Sequence, residues 1–274
     1  MSGTRPSRPF SFLPSPARRM RSRMPMRFRS LPAAPARALA RHSHGATSRH
    51  APRRVARLPV MPAAVIDTVI FDVGGVLAST GRHSDFARRF PPEVAEQVTR
   101  IFVGDYADDG DHPWHRLERG EITLEENRRL NRIALADAGI ELPAPAPGGA
   151  PMIVFSASEP MMALVQELHA AGFRLGVLTN NVAEFRDSWW AMMPFDEWFD
   201  DVVDSHEVGL RKPNPAIYQL ALARLGADAE RTAFLDDVAT NVSAAQSVGI
   251  RGVWVEEDPT EAIAAVRRMA GFID

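Results

Sequence analysis

Five polar side chains that lie far apart in this chain have the chemistry needed to receive a phosphoryl group. Asp72 follows the first predicted strand and Thr179 follows the second. Lys212 precedes a predicted helix, and Asp236 and Asp237 follow a later predicted strand. Because ligands of parallel sheets bind at the carboxyl ends of the strands, we expect these three carboxylates, one hydroxyl and one ammonium to converge on one edge of a sheet.

The predicted cluster of carboxylates indicates a metal site. Neighbouring carboxylates repel one another and raise one another's pKa unless a cation lies among them. Mg²⁺ prefers such oxygen ligands. One carboxylate would act as a nucleophile and form an aspartyl phosphate that water later hydrolyses. Thr179 and nearby backbone amides would hold the phosphoryl oxygens, and Lys212 would neutralise their charge in the transition state.

Lys212 is the only lysine among the 32 basic residues of the chain, and the other 31 are arginine. The ammonium of lysine is a compact point charge, whereas arginine presents a planar fork, so a single retained lysine indicates a site that needs an ammonium. Pro213 and Pro215 restrict the backbone that follows it.

Strands alternate with helices along the second half of the chain, which predicts an α/β fold with a parallel, Rossmann-like sheet and helices on both faces. The predicted strands are residues 64–71, 173–178, 201–205, 232–235 and 252–255. The predicted helices of this half are residues 160–171, 183–190, 215–225, 240–248 and 259–269.

Residues 80–158 show no convincing strand and are predicted to form a small helical domain inserted after the first strand. Its predicted helices are residues 86–90, 92–102, 114–119 and 123–138, followed by a Pro/Gly/Ala-rich connector at 143–151. Thr123 and Glu126 have the spacing of a capping box at the start of the last of these helices. The expected organisation is therefore a core of residues 61–79 and 159–274 with a cap at 80–158.

Four motifs in this order resemble those of the haloacid dehalogenase (HAD) superfamily of hydrolases. They are Phe71-Asp-Val-Gly-Gly-Val-Leu77, Val177-Leu-Thr-Asn-Asn181, Val208-Gly-Leu-Arg-Lys-Pro-Asn-Pro-Ala-Ile-Tyr218 and Phe234-Leu-Asp-Asp-Val-Ala-Thr-Asn-Val242. The segment Trp114-His-Arg-Leu-Glu-Arg-Gly-Glu-Ile-Thr-Leu-Glu-Glu126 is similar to the helical cap of that family. The resemblance covers about residues 64–270.

The resemblance implies a role for each of these residues. Asp72 would be the nucleophile and a Mg²⁺ ligand, and Thr179 and Lys212 would bind phosphate. Asp237 would bind the metal directly. Asp236 would act indirectly, through a metal-bound water or by contacting a metal ligand. The remaining implied members are Asn180 as a phosphate-binding residue and Gly74 as a metal ligand through its backbone carbonyl. Asn180, Asn181 and Asn241 equally fit roles in helix caps or Asx turns.

Gly74 departs from the pattern of the superfamily's phosphatases, which usually carry a second aspartate two residues after the nucleophile. That aspartate protonates the leaving group, and losing such a general acid typically costs ~10²–10⁴-fold in rate. A substrate with a good leaving group, such as a sugar phosphorylated at its anomeric oxygen, would need the acid least. The Asp-x-Gly pattern also resembles the branch with glucose-1-phosphate phosphatases and the amino-terminal domain of soluble epoxide hydrolase.

Gly74 has two further interpretations. In one, a residue of the cap supplies the general acid; in the other, the protein has no catalytic role. The candidate acids in the cap are His83, Asp85, His112, His115 and Glu118. The protein would otherwise bind a phosphorylated ligand and turn it over weakly or not at all. A metal-independent 2-haloacid dehalogenase is a further alternative, although the acidic pair Asp236-Asp237 is out of place in that chemistry.

Composition divides the chain into a basic tail and an acidic remainder. Residues 1–66 carry 14 arginines and no acidic residue, which leaves 18 basic residues against 34 acidic ones. Residues 1–60 are too poor in periodic apolar residues to form a core, so we expect a disordered tail. The tail would be an organelle transit peptide, an anion-binding arm or a segment that is not native coding sequence, with a start at Met61.

The remaining features exclude several classes of protein. There are no cysteines, which excludes disulfides and cysteine–zinc sites, and no apolar run approaches the ~18 residues of a membrane span. We expect a cytoplasmic enzyme that acts on a small phosphorylated metabolite, without a membrane or specific nucleic-acid partner. Two further groups are predicted to be structural: a solvated acidic loop of Asp105, Asp108, Asp109 and Asp111, and a core or interface cluster of Trp189, Trp190 and Trp198.

Overall fold

The computed structural model describes residues 65–80, 90–141 and 155–272. The expected tail at 1–60, the connector at 143–151, most of the predicted helix at 86–90 and the candidate acids His83 and Asp85 lie outside the described residues. Among the described residues, no helix combines the length and the apolar character needed to cross a bilayer.

A parallel five-stranded sheet forms the centre of the structure, as the alternation of elements predicts. The strand order is β5-β4-β1-β6-β7. The strands are β1 (Thr68–Phe71), β4 (Arg174–Thr179), β5 (Asp201–Asp204), β6 (Thr232–Asp236) and β7 (Arg251–Trp254). The expected α/β fold is confirmed.

The register of the central strand explains how distant residues meet. β1 is buried along its whole length, as its Val, Ile and Phe side chains favour. Phe71 at its end pairs with Val177 of β4 on one side and with Leu235 of β6 on the other. Asp72, Thr179 and Asp236, which lie one or two residues after these positions, are therefore neighbours at the carboxyl edge of the sheet.

Helices cover both faces of the sheet. Met161, Leu164 and Leu168 of the helix Glu159–Ala170 pack on one face, together with Trp189. Ile217, Tyr218 and Leu225 of the helix Pro215–Leu225 pack on the other face. From residue 159 onward, the α-helices in chain order are α4 (Glu159–Ala170), α5 (Arg186–Trp190), α6 (Phe195–Trp198), α7 (Ser205–Val208), α8 (Pro215–Leu225), α9 (Ala239–Ser247) and α10 (Thr260–Met269).

Three of the described helices, which lie between β2 (Ala78–Thr80) and β3 (Phe155–Ala157), are called the cap helices below, and the first and third of them share a small apolar cluster. They are α1 (Pro92–Val103), α2 (Pro113–Glu118) and α3 (Leu124–Asp137). Phe90, Val98 and Leu135 are the buried members of their cluster. Half of the predicted capping box is confirmed: the Thr123 hydroxyl accepts a hydrogen bond of 3.2 Å from the backbone N–H of Glu126, whereas the Glu126 carboxylate accepts from Arg129.

Helix α8 shows why the predicted boundaries are best where capping residues are present. The Asn214 side chain accepts a hydrogen bond of 3.0 Å from the backbone N–H of Ala216, and Pro215 occupies the first turn. Gly226 ends the helix with a φ of 60°, a left-handed conformation that glycine adopts without strain. The start of α8 fixes the end of the preceding loop, residues 209–214, which carries Lys212 and is called the lysine loop below.

Two predictions about strands are wrong in detail. Residues 80–158 do contain a strand, β3 (Phe155–Ala157), which pairs antiparallel with β2 (Ala78–Thr80). Strands of three residues are too short to show a period of two in the sequence. The first strand begins at Thr68 rather than at residue 64, because its neighbours in the sheet begin opposite Thr68 and offer no earlier partner.

Candidate active site

Three carboxylates meet at the carboxyl edge of the sheet. Asp72, Asp236 and Asp237 each offer one oxygen, and these oxygens lie within 4.8 Å of one another. Asp72 directly follows β1, and Asp236 is the last residue of the adjacent strand β6. An all-oxygen donor set of this size matches the ligand preference of Mg²⁺, so the residues present fit that ion.

The Lys212 ammonium lies between two of these carboxylates. Its Nζ is 2.9 Å from Asp72 Oδ1 and 2.6 Å from Asp236 Oδ2, and its side chain is almost fully buried. Burial alone would lower the pKa of Lys212, but the charges of Asp236 and then Asp72 outweigh burial and raise that pKa. The lysine is therefore charged and lies beside the predicted nucleophile.

Asp236 and Asp237 have different surroundings despite being neighbours. Asp236 is fully buried and accepts hydrogen bonds from Lys212 Nζ, from the Val238 backbone N–H at 2.8 Å and from Asn241 Nδ2 at 3.1 Å. Asp237 reaches solvent. The Asp236 oxygens are thus committed to protein donors, while Asp237 presents its carboxylate outward, which favours Asp237 as the direct metal ligand.

Burial and neighbouring charges raise the pKa of two carboxyl groups in this cluster. Burial raises the pKa of Asp72 to about 8, the Lys212 ammonium opposes this shift, and the charges of Asp236 and Asp237 add to it. Desolvation and the adjacent Asp236 raise the pKa of Asp237 to about 6, although its side chain still reaches solvent. A divalent cation would favour the ionised form of both carboxylates.

The segment after β4 holds the lysine loop in place. The Asn180 side chain donates to the Lys212 carbonyl at 2.9 Å and accepts from the Lys212 N–H at 2.8 Å. This pairing commits both polar atoms of the Asn180 side chain to the Lys212 backbone. Thr179, the last residue of β4, is buried beside Asp72's strand. Asn181 instead donates to the buried Asp204 at 2.9 Å.

Gly74 and Gly75 differ in how much room they leave. A Cβ added at Gly74 would meet no atom within 4 Å. A Cβ added at Gly75 would lie 2.1 Å from Asp237 Oδ2, and Gly75 has a φ of +74°. The second glycine is therefore required for the close approach of Asp237, whereas the first position would tolerate a side chain.

Substitution of Gly75 by alanine is expected to lower Mg²⁺ affinity by ~10-fold or more, because the new methyl group displaces the Asp237 carboxylate. Gly74→Ala is the matched control and should leave Mg²⁺ affinity near that of the wild type, since its methyl group enters open space. Isothermal titration calorimetry with Mg²⁺ measures both. Equal affinity of Gly75→Ala and wild type would show that Asp237 is not a ligand.

The described cap candidates for the missing acid are poorly suited to donate a proton near pH 7. Glu118 is buried, with Oε1 accepting from Trp114 Nε1 and Oε2 accepting from Arg211 Nε, both at 2.8 Å. His112 Nδ1 accepts from the Trp114 backbone N–H at 3.1 Å. Both ring nitrogens of His115 are buried without a hydrogen-bond partner among the described residues, and burial, with the charge of Arg211 next, lowers the pKa of His115 to about 4, so its ring is neutral near pH 7.

His115 is expected to make stability depend on pH. Its pKa is 6.5 when unperturbed and about 4 here, so below pH 6.5 the unfolded chain takes up a proton that the folded chain does not. The free energy of unfolding should therefore fall by about 2 kcal/mol between pH 7 and pH 5 on account of this residue. Urea denaturation of His115→Leu should show a smaller loss, whereas the exposed His169→Gln should match the wild type.

The acidic loop between α1 and α2 is only partly solvated, which corrects the prediction for one residue. Asp105, Asp108 and Asp111 have exposed side chains. Asp109 is instead half-buried, 2.7 Å from Arg119 Nη1 and 2.9 Å from Asn214 Nδ2. The sequence spacing of the four aspartates could not reveal these partners, because they lie in other segments of the chain.

Two tryptophans near the sheet have distinct roles. Trp189 is buried in the core and packs edge-to-face against Phe195, which confirms the prediction that this residue belongs to the core. Trp254, at the end of β7, is exposed and donates its indole N–H to the Asp237 carbonyl at 2.9 Å. Sequence reasoning missed Trp254, although its position at a strand end was an available signal.

A cavity of about 260 Å³ lies between the cap helices and the core. Its wall contains Glu121, Glu184 and His206, and no lysine or arginine. The rest of the lining is Leu117, Gly120, Ile122, Thr123 and Ala183.

Sequence comparison places the chain among known hydrolases. The family model described as haloacid dehalogenase-like hydrolase matches residues 66–249. The mouse protein named Acyl-CoA dehydrogenase family member 10 is 31% identical over 214 residues, which are 74% of this chain and 19% of that protein. Bifunctional epoxide hydrolase 2 of pig is 30% identical over 211 residues, 70% of this chain and 36% of the relative. The chain thus spans about a fifth and about a third of these two relatives.

One further relative and two solved structures carry informative names. Glyceraldehyde 3-phosphate phosphatase of Methanothermobacter thermautotrophicus is 32% identical over 97 residues, 35% of this chain and 43% of that protein. A HAD family enzyme from Bacteroides thetaiotaomicron, solved with magnesium and inorganic phosphate, has a TM-score of 0.50 and 20% identity and covers 70% of this chain and 96% of its own. An L-2-haloacid dehalogenase has a TM-score of 0.54 and 19% identity, covering 74% and 99%. The two structures show a shared fold.

Proposed function

This chain belongs to the haloacid dehalogenase-like hydrolase family, and from that premise we propose that it is a magnesium-dependent phosphatase of a small phosphorylated metabolite. The observation that carries the proposal is the meeting of three carboxylate oxygens within 4.8 Å, with the Lys212 ammonium 2.9 Å from Asp72. Phosphatases among its relatives support the same reaction class.

The residues that would hold Mg²⁺ are Asp72, Asp237 and the Gly74 carbonyl, with Asp236 supporting from behind. When bound, the ion would neutralise the carboxylates and polarise the phosphoryl oxygens. The backbone at Gly75 brings Asp237 close to the loop after β1, since any side chain there would collide with the carboxylate. This close approach supports the assignment of Asp237 as a ligand.

The protein's own residues would carry out two displacements at phosphorus. In the first, an Asp72 oxygen attacks phosphorus, the bond from phosphorus to the leaving oxygen breaks, and that oxygen takes a proton from solvent. In the second, water attacks phosphorus and gives up a proton to solvent, the bond to Asp72 breaks, and inorganic phosphate leaves. Lys212 Nζ and the Val73 N–H, the latter at 2.7 Å, both contact Oδ1 of Asp72. Oδ2 is the proposed attacking atom.

Phosphate binding would come from Lys212, Thr179 and the backbone N–H of Asn180. Lys212 supplies a charge that remains buried and oriented by its contacts with Asp72 and Asp236. Asn180 serves mainly to hold the Lys212 backbone. Such preorganised charge would stabilise the negative charge that develops on the phosphoryl oxygens in the transition state.

The proposed substrate class is a phosphate ester with a good leaving group, such as a sugar 1-phosphate. Gly74 supplies no carboxylate to protonate a poor leaving group. Among the described cap candidates, Glu118 and His112 are held by other contacts, and the lowered pKa of His115 keeps its ring neutral near pH 7. These observations favour a leaving group that departs without protonation.

A phosphate-release screen over metabolites tests the function. With Mg²⁺ the wild type should release phosphate from at least one sugar phosphate and from an aryl phosphate, and chelator should stop both reactions. Halide release from 2-haloacids in chelator would instead establish a dehalogenase. Phosphate binding without release across the screen would establish a non-catalytic phospho-ligand-binding protein, the alternative that Gly74 motivates.

The proposal extends to location and organisation. We propose a cytoplasmic enzyme with a core of residues 61–79 and 159–274 and a cap of residues 80–158. Expression from Met1 and from Met61, each fused to a fluorescent protein, tests the tail. Identical cytoplasmic fluorescence supports the proposal, while organelle import of the longer form alone would assign the tail as a transit peptide.

A further inference from the structure

The residues on either side of Lys212 contact the segments of the cap helices. Arg211 donates from Nε to Glu118 Oε2 at 2.8 Å and from Nη1 to the Asp108 carbonyl. Asn214 donates from Nδ2 to Asp109 Oδ2 at 2.9 Å. These contacts join the lysine loop to α2 and to the loop between α1 and α2.

The Arg211–Glu118 pair is buried on both sides. Arg211 is 0% exposed and Glu118 is 2% exposed, and Trp114 Nε1 donates to the other Glu118 oxygen at 2.8 Å. A buried pair with supporting hydrogen bonds is rigid, and separating its members would leave two uncompensated charges. The pair can therefore exist only while the cap helices are docked on the lysine loop.

Lys212 itself faces the opposite direction, into the core. Its Nζ contacts Asp72 and Asp236, and its backbone is paired with the Asn180 side chain. Within four consecutive positions the loop thus binds the cap through residues 211 and 214 and the predicted nucleophile through residue 212. A shift of the loop toward or away from the cap would move the ammonium relative to Asp72.

We propose that Arg211 and Asn214 are positioning residues that couple docking of the cap helices to the placement of the Lys212 ammonium, and so to phosphate affinity. The inference rests on the proposed function, because it takes phosphate as the ligand of Lys212. The coupling is reciprocal by thermodynamic necessity: a docked cap strengthens phosphate binding, and bound phosphate stabilises the docked cap by the same factor.

The most specific test first removes the hydrogen bond between Asp109 and Asn214 and then restores it with donor and acceptor exchanged. Asn214→Asp keeps an oxygen that can accept from the Ala216 N–H, so α8 stays capped, but it turns the Asp109 contact into a repulsion between carboxylates. Affinity for inorganic phosphate with Mg²⁺, measured by calorimetry, should fall by about tenfold, within the usual range of couplings. The double variant Asp109→Asn, Asn214→Asp restores a donor and an acceptor and should recover most of that loss.

A second measurement separates positioning from simple destabilisation. Hydrogen exchange in residues 104–112 should slow when phosphate binds the wild type, and this effect should shrink in Asn214→Asp and return in the double variant. Glu126→Gln is the matched control: it breaks the exposed contact with Arg129 on α3, far from the lysine loop in sequence, and should change neither readout.

The outcomes are distinguishable from failure of the proposed function. If the wild type binds no phosphate, the proposed function fails and the coupling fails with it. If the wild type binds phosphate and Asn214→Asp binds it equally well, only the coupling is overturned. Loss of affinity in Asn214→Asp that the double variant does not recover would also overturn it, since the donor–acceptor pair would then be irrelevant.

Discussion

Replacing Gly74 with aspartate is expected to accelerate phosphate release by ~10²-fold or more for substrates with poor leaving groups. The position has room for the side chain, because a Cβ there meets no atom within 4 Å, and its backbone does not require glycine since its φ is not positive. An aspartate two residues after the proposed nucleophile would carry the proton that the leaving oxygen otherwise takes from solvent. The gain should be large for an alkyl phosphate and small for an aryl phosphate, whose oxygen leaves without protonation.

Gly74→Asn is the control for this gain. Asparagine has nearly the same size and polarity but cannot donate a proton to the leaving group as a carboxylic acid does, so it should give no acceleration. The comparison is a set of kcat values for alkyl and aryl phosphates with wild type, Gly74→Asp and Gly74→Asn. An equal gain from both variants, or no gain from aspartate on either substrate, would show that a missing acid at residue 74 does not limit the rate.

Substitution of Asp72 by asparagine is expected to reduce phosphate release by ~10³-fold or more, because it removes the nucleophile together with one carboxylate of the proposed metal site. Asparagine retains the shape of the side chain and an oxygen that can accept from the Val73 N–H. Lys212 keeps its 2.6 Å contact with Asp236, so the ammonium stays in place. The expected loss is therefore in kcat, with phosphate binding largely preserved.

The matched control for Asp72→Asn is Asp67→Asn, which lies at the other end of the same strand. Asp67 is exposed and pairs with Arg231 at 2.7 Å, away from the carboxyl edge of the sheet. An exposed pair of this kind contributes little, so activity and folding should be close to those of the wild type. Retention of activity in Asp72→Asn with loss of activity in Asp67→Asn would contradict the assignment of the nucleophile.

The position of the site could be read from the sequence because it follows from the geometry of parallel strands. Asp72 and Asp236 end neighbouring strands, and the pairing of Phe71 with Leu235 brings them together whatever the details of the loops. Helix α8 was also accessible, since Asn214, Pro215 and Gly226 mark its ends by capping preferences. Both predictions rest on general rules, the geometry of parallel strands and the residue preferences at helix ends, that do not depend on the side-chain packing of this protein.

The contacts between the cap helices and the lysine loop could not be predicted, because they join residues about a hundred positions apart. Nothing near Asp109 in the sequence points to Asn214, and the spacing of the acidic loop favoured a solvated interpretation. Glu118 was a candidate acid because its partner is similarly distant in sequence: Arg211 Nε donates to Glu118 Oε2 at 2.8 Å. Pairing of long polar side chains depends on tertiary packing, which periodicity does not encode.

The short strands β2 and β3 show a second limit. Each has three residues, which is too few to show a recognisable alternation of polar and apolar side chains. Trp254 shows a third limit. Its indole donates to the Asp237 carbonyl, a role that depends on the backbone conformation after β6 and cannot be inferred from the residue type.

The most direct test of the account is transfer of radiolabelled phosphate from substrate to Asp72. Rapid acid quench of the wild type with a labelled phosphate ester and Mg²⁺, followed by digestion, should place the label on the peptide that contains Asp72. Chelator and Asp72→Asn should both abolish the label. Release of labelled phosphate without any labelled peptide, or with the label on another residue, would contradict the claim that the carboxylate of Asp72 receives the phosphoryl group.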